Sequence, residues 1–259
     1  MTGLVKNIWR YRELTASLVK REVLARYKQS VLGPAWAILQ PLVLMLTFSF
    51  VASFARLPSD GVPYPLFSYT ALIPWTMFQN GVMMATPSIV LNAGIIKKIY
   101  FPREVLPVGS ILVSLFDFVM SFAVLVGLLV WYGRAPGPWV AILPVLVVVQ
   151  LALGLGVGLL TSALGTFKRD VIFATFFALQ MWMYASPVIY PLSAVPARWR
   201  TLYLLNPMAG IVSGYRTALL DTGPPDLTAL GMAAGSSLLI LAGGYAVFKA
   251  LERWYADVI

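Results

Sequence analysis

From Ile142 to Leu160 the chain runs nineteen residues without one charged side chain, and five other stretches carry at most one each. A helix needs about 20 apolar residues to cross the ~30 Å hydrocarbon core of a bilayer. A soluble core has no use for so many runs of that length. Only 11% of the 259 residues are charged, against roughly 25% in soluble domains. Barrel strands would alternate polar and apolar side chains, and these runs do not. The chain is therefore expected to be an all-α integral membrane protein.

Reading the apolar runs against Gly, Pro and charge breaks predicts six transmembrane helices, at 35–55, 67–91, 105–131, 139–164, 171–191 and 227–251. An even number puts both termini on one side. Lys and Arg decide which: seven lie in the N-terminal segment, three in the second loop, two in the fourth and two in the tail, fourteen against five on the other face. The positive-inside rule assigns the fourteen to the cytoplasm. The net charge of +9 thus follows membrane topology and gives no reason to expect nucleic acid.

Residues 1–33 form a separate amphipathic segment. At 100° per residue Leu4, Ile8, Tyr11 and Leu18 share one face, and Lys6, Arg10, Glu13 and Lys20 the other; Arg12 and Glu22 blur the pattern. With Trp9 and Tyr11 nearby, it reads as a helix lying in the inner-leaflet interface among membrane lipids. Charges recur through Lys28, unlike a cleavable secretory signal. Gly33-Pro34 ends the segment, and residues 34–259 make up the six-span transmembrane domain.

Several kinds of chemistry are excluded early. With no Cys there is no thiolate metal site, and with no His the commonest general base and metal ligand are missing. No G-x-x-x-x-G-K-[ST] stretch occurs, so the chain does not hydrolyse nucleotides through a P-loop.

One insert needs a different explanation. Asn92 to Pro107 packs Lys97, Lys98 and Arg103 among Ile95, Ile96, Ile99, Tyr100 and Phe101, with Pro102 stopping the helix. A plain loop would not carry so many apolar side chains, nor a span so many charges. It must lie on the membrane surface or dock on a soluble partner.

Inside the spans, Asp117 is the one deep acid. An ionised acid there costs roughly 2.5–3.5 kcal/mol on insertion scales, so it should be paired, protonated or facing the bundle interior. It is either a polar point on a translocation path or a proton relay, or else a structural acid bonded to Ser114, Ser121 or a neighbouring helix, and the sequence leaves these open, although one isolated acid makes a poor relay. Trp75 and Phe78 beside Pro74, and Tyr184 and Tyr190 beside Pro187, are candidates to line a path. Gly154-Leu-Gly-Val-Gly158 marks close helix packing, within or between subunits. The loop Thr166–Asp170 offers Lys168 and Arg169 as a second contact for the partner of the insert. The apolar outer segment 192–226, interrupted at Asn206-Pro207, reads as a re-entrant helical hairpin.

Three stretches together resemble the membrane subunit of type-2 ABC exporters, specifically the bacterial exporters of O-antigen, capsule and teichoic acid. These are Arg26-Tyr-Lys-Gln-Ser-Val-Leu-Gly-Pro-Ala-Trp-Ala-Ile-Leu-Gln-Pro41, Asn92–Pro107 and Tyr203-Leu-Leu-Asn-Pro-Met208. The resemblance implies a homodimer working with two copies of a separate ATPase that binds ATP and Mg, with no cofactor in this chain. It implies a lipid-linked glycan as substrate, moved outward across the bacterial inner membrane. It makes the insert a coupling segment, with Ile96, Lys97, Lys98, Phe101, Pro102, Arg103 and Glu104 at or beside the ATPase contact. Arg26, Tyr27 and Lys28 would stand at the cytoplasmic entrance, where an anionic lipid pyrophosphate could meet them. Three rivals remain: an exporter of another amphiphile, a membrane-embedded glycosyl or acyl transferase, and a self-sufficient secondary transporter, whose usual matched helix breaks are missing here. The second has few acid/base candidates, chiefly Asp221 and Asp226.

Overall fold

The computed structural model describes residues 2–28 and 30–258, and every regular element among them is helical. In chain order these are α1 (Thr2–Arg10), α2 (Arg12–Tyr27), α3 (Ala35–Ala55), α4 (Tyr64–Ala85), α5 (Ser88–Leu91), α6 (Ala93–Ile96) and α7 (Val105–Trp131). Then follow α8 (Leu143–Phe167), α9 (Asp170–Tyr184), α10 (Ala197–Tyr203), α11 (Pro207–Leu220), α12 (Leu227–Glu252) and α13 (Tyr255–Val258). Short 3₁₀ turns precede α8 (Pro138–Ile142) and α10 (Leu192–Ala194).

Among the described residues four helices are long and apolar enough to cross a bilayer: α3, α7, α8 with its leading turn, and α12. The predicted spans 35–55 and 105–131 coincide with α3 and α7. Of the other four predicted spans, 139–164 and 227–251 fall on α8 with its leading turn and on α12, and two differ from expectation. The run 67–91 is not one helix: α4 ends at Ala85, and Thr86-Pro87 breaks it before α5. The run 171–191 stops at Tyr184, only fifteen residues after α9 begins.

Polarity in α4 follows from its position. It sits at the centre of the bundle against α3, α7, α8, α9 and α11, and nearly every side chain from Leu66 to Phe78 is buried. Facing protein rather than lipid, it can carry Tyr69, Thr70, Gln79 and Asn80. Gln150, the polar residue of the 142–160 run, donates to the Pro74 carbonyl at 2.9 Å and so ties α8 to the middle of α4.

The tightest seam joins α8 to α12. A Cβ on Gly156 would lie 2.6 Å from the Leu241 nitrogen, and one on Gly244 would collide with the Gly156 carbonyl. Gly154 and Gly158 turn instead toward Ile111 of α7. The glycine pattern therefore serves packing inside the subunit.

The N-terminal segment departs from a flat surface helix. Leu18 and Val19 lie by Gly109, Ser110 donates to Glu22 at 3.4 Å, and Arg26 reaches Asp117. Eight residues of α2 thus match eight of α7, about 12 Å on each, so α2 runs alongside the span. Glu22, which blurred the amphipathic pattern, faces Ser110 because α7 rather than a lipid headgroup is its neighbour.

Candidate functional site

Most of the exposed cations collect at one end. There Leu4, Leu18, Ile89, Phe101, Val105, Leu106, Phe248 and Tyr255 form a small core of their own. Phe167 packs its ring against Tyr255, which brings Lys168 and Arg169 to the same end.

The insert divides over this core into two faces. Lys97, Lys98, Ile99 and Tyr100 project outward, Tyr100 being 93% exposed. Ile96 and Pro102 are half-buried, and Phe101 is buried. Glu104 is fully buried, 2.7 Å from Lys249 Nζ, and accepts from Asn7 Nδ2 at 2.8 Å. Lys249 lies 2.7 Å from Glu252 as well. Arg103 donates to Glu252 from both its backbone N–H, at 3.3 Å, and its guanidinium. Phe101, Arg103 and Glu104, grouped with the partner contact in the sequence reading, therefore face inward and join α1, the start of α7 and the end of α12. Ile99 and Tyr100 replace them on the outer surface, because the insert is a single helical turn, α6, followed by a bend rather than one continuous helix.

The second site lies where α2 ends. Asp117 is 5% exposed and forms a 2.7 Å ion pair with Arg26; the Tyr27 hydroxyl donates to its other oxygen. The alternatives open for Asp117 thus meet: its partner is a neighbouring helix, and that helix bears the residues expected at the entrance. Burial and the adjacent Asp117 carboxylate push the Tyr27 phenol well above its usual range, so it stays a donor. Lys28 is exposed just beyond. Arg26 and Tyr27 also form one wall of a cavity of about 630 Å³ completed by α3, α4 and α9, with Trp36, Gln40, Gln79 and Gln180 among its lining residues.

The aromatic candidates separate. Trp75 is fully buried and donates to Gln79 Oε1 at 2.9 Å; Phe78 packs edge-on against Trp182 with centroids 5.2 Å apart. Both belong to the main core and neither lines the cavity. Tyr184 is exposed at the end of α9, and the Tyr190 hydroxyl pairs with that of Tyr203 at 2.9 Å.

Beyond α9 the unwound segment 185–191 is held by side chains of the hairpin. Buried Arg216 of α11 donates to the carbonyls of Pro187 at 2.5 Å, Val188 at 2.7 Å and Tyr190 at 3.3 Å. Its guanidinium stacks 3.5 Å from the Phe67 ring. Asn206 caps α11 and donates to the Ala185 carbonyl.

Residues 13–220 match the profile of the family described as ABC-2 type transporter. The chain belongs to that family. An O-antigen export system permease protein, RfbA, from Myxococcus xanthus is 32% identical over 262 residues, covering all of both chains. The protein of the same name from Klebsiella pneumoniae is 25% identical and covers 95% of each. The polysialic acid transport protein KpsM of Escherichia coli is 25% identical over 92% of this chain and 93% of its own.

For an ABC-2 type transporter chain, sequence reading missed Asn7, Lys249 and Glu252 as partners of the insert. Lys249 and Glu252 carried a signal, being an i,i+3 pair of charges at the foot of a span. Asn7 carried none. The cavity amides Gln40, Gln79 and Gln180 were visible only as polar interruptions in apolar runs, and Arg216 was counted as an outer-loop charge although it is buried.

Proposed function

We propose that this ABC-2 type chain is the membrane subunit of an ATP-driven polysaccharide exporter in the bacterial inner membrane. The observation that carries this reading is full-length similarity, end to end, to a protein named as an O-antigen export permease. Two copies of the chain form the path, and two copies of a separate ATPase subunit bind ATP and Mg beneath it. The substrate is a glycan on a lipid carrier, moved outward. Hydrolysis belongs to the partner, and this chain is a transport subunit.

In this reading the chain crosses six times, with α4 and α9 as the second and fifth crossings, residues 1–33 on the cytoplasmic side and 34–259 in the membrane domain. Both termini and the basic end face the cytoplasm, as the charge asymmetry favours. The segment 192–226 closes the outer end. The contact for the ATPase is the projecting tip Lys97, Lys98, Ile99 and Tyr100, with Lys168 and Arg169 beside it. Arg103 and Glu104 transmit from behind, and Arg26, Tyr27 and Lys28 stand at the entrance. Support for two copies comes from α3, the least buried of the four apolar spans, with Leu46, Phe50 and Phe54 exposed on its outer face.

Co-expression with a candidate ABC ATPase subunit tests this. The two should co-purify, and Lys97→Glu with Lys98→Glu should abolish co-purification and surface glycan while the chain stays in the membrane. Normal export by that variant removes the coupling assignment. An ATPase that neither co-purifies nor responds to this chain removes the exporter reading itself.

A further inference from the structure

Glu22 is a carboxylate with too few partners for its position. It is half-buried on α2, yet unlike Asp117 and Glu104 it forms no ion pair among the described residues. Its one hydrogen bond there comes from the Ser110 hydroxyl, at 3.4 Å. Glu22 lines a cavity of about 600 Å³ between α2, the end of α4, α5 and the start of α7, within the ~300–1,000 Å³ of ligand pockets. This is not the cavity beside α3: the two share only Arg26, which Asp117 engages. A second polar group on its wall is also unsatisfied. Ser88 is 2% exposed, and its hydroxyl has no partner among the described residues. Buried polar groups are nearly always paired, so an orphan marks a place where a ligand or a water belongs.

A cation stands one residue along α2. Arg21 donates through Nη2 to Asn92 Oδ1 at 2.7 Å, and Asn92 Nδ2 in turn donates to the Ser88 carbonyl at 2.9 Å. Asn92 thus holds the guanidinium at the cavity wall, and its other N–H groups have no protein partner among the described residues. Met83, Met84 and Leu91 add apolar surface, with Leu91 76% exposed. One cavity therefore offers an unpaired carboxylate, an unpaired hydroxyl, a held guanidinium and an apolar wall.

We propose that this cavity seats the headgroup of one phosphatidylethanolamine-type lipid, with Glu22 and Ser88 taking the primary ammonium and Arg21 the phosphodiester. The site requires a chain embedded in a bilayer, and not the export of a glycan. A primary ammonium has three N–H donors, enough for the Glu22 carboxylate and the Ser88 oxygen together. A phosphodiester meets guanidinium through two parallel hydrogen bonds. The glycerol and upper acyl chains then lie on Leu91 and on Met83 and Met84, whose thioethers adapt to irregular apolar shapes. Other headgroups fit worse. Phosphatidylglycerol or a pyrophosphate would set a second anion near Glu22 and leave it without a cation. Phosphatidylcholine brings a cation, but its methyl groups replace every N–H that Glu22 and Ser88 could accept. A seated lipid joins α2, α5 and α7 at Asn92, the root of the 92–107 insert, and so links anchorage of that insert to membrane composition.

Native mass spectrometry of the full chain in detergent, titrated with one lipid at a time, tests this. The chain should bind one phosphatidylethanolamine at least about tenfold more tightly than phosphatidylcholine or phosphatidylglycerol. Glu22→Gln should erase the preference over phosphatidylglycerol by weakening the first and not the second. Arg21→Gln should weaken both by about tenfold. Ser88→Ala should weaken phosphatidylethanolamine alone, which checks the ammonium position independently of Glu22. Equal uptake of the three lipids by the unaltered chain would mean unspecific annular contact and overturn the site. A preference that survives both Glu22→Gln and Ser88→Ala would overturn the assignment of the ammonium. Soluble O-phosphoethanolamine bound as tightly as the lipid would overturn a lipid occupant, since the apolar wall would then contribute nothing. No ATPase or glycan enters the experiment, so its outcome is independent of the exporter reading.

Discussion

Glu104 and Lys249, 145 residues apart in the chain, meet as a 2.7 Å ion pair in which the carboxylate is wholly buried. With Asn7 on its other oxygen, Glu104 ties the N-terminal helix and the last span to the base of the 92–107 insert. Removing one partner of a buried pair costs about 3–5 kcal/mol, because the other charge is left without compensation. Lys249 is about one-third open to solvent, so Lys249→Met should cost less than that but still lower the melting temperature measurably in detergent. Lys249→Met with Glu104→Leu should recover most of the loss. A double variant as unstable as the single one would show that the pair itself is not what holds these elements together.

The seam between α8 and α12 makes a contrast within one dipeptide. Gly244→Ala drives a methyl into the Gly156 backbone, whereas a Cβ on Gly243 meets nothing within 4 Å. Overpacking of this kind costs typically 1–3 kcal/mol, about the range expected here. Gly243→Ala gains helix propensity of up to ~1 kcal/mol. Gel-filtration yield and melting temperature should fall for the first and hold or rise for the second. Similar behaviour of both would remove the packing role of Gly244.

Arg216 satisfies carbonyls that the unwound segment 185–191 leaves without helical partners. Arg216→Gln should open the chain around 185–195 to limited proteolysis, and Arg216→Lys should rescue only partly, since an ammonium lacks the planar fork. Full rescue by lysine would mean that charge alone suffices.

Acidity should strengthen the docking of α2. Burial raises the Glu22 carboxyl above its usual value of 4.5, outweighing Arg21 and the Ser110 hydroxyl, which act the other way. The docked state then binds more protons than the undocked one between the ordinary value and the raised one, so stability falls as pH rises through that window. Above the raised value the full penalty is present. Glu22→Gln should therefore raise the melting temperature at neutral pH and flatten its pH dependence. A steeper profile in the variant would reverse the sign.

How much of this could be read in advance depended on what each segment faces. Helices α3 and α7 stand against the apolar phase along much of their length, so hydropathy found their ends to the residue. Helix α4 is enclosed by protein, and its Tyr, Thr, Gln and Asn side chains hide a central helix from any measure of apolarity. The division of the insert into an outward Lys97–Tyr100 tip and an inward Phe101–Glu104 base depends on Asn7, Lys249 and Glu252, which are distant in sequence. Asp117 advertised its need for a partner, but nothing local could name Arg26, 91 residues away.

The fifteen residues of Asp170–Tyr184 rise only about 22 Å, some 8 Å less than a typical hydrocarbon slab. In the proposed six-crossing topology this helix is the fifth crossing and would put the surrounding bilayer under elastic load, at a fraction of a kcal/mol per ångström of mismatch. Acyl-chain length then becomes a variable of the transporter itself. Thinner membranes relax the deformation around α9 and thicker ones increase it, so the lipid environment biases which arrangement of the path is preferred.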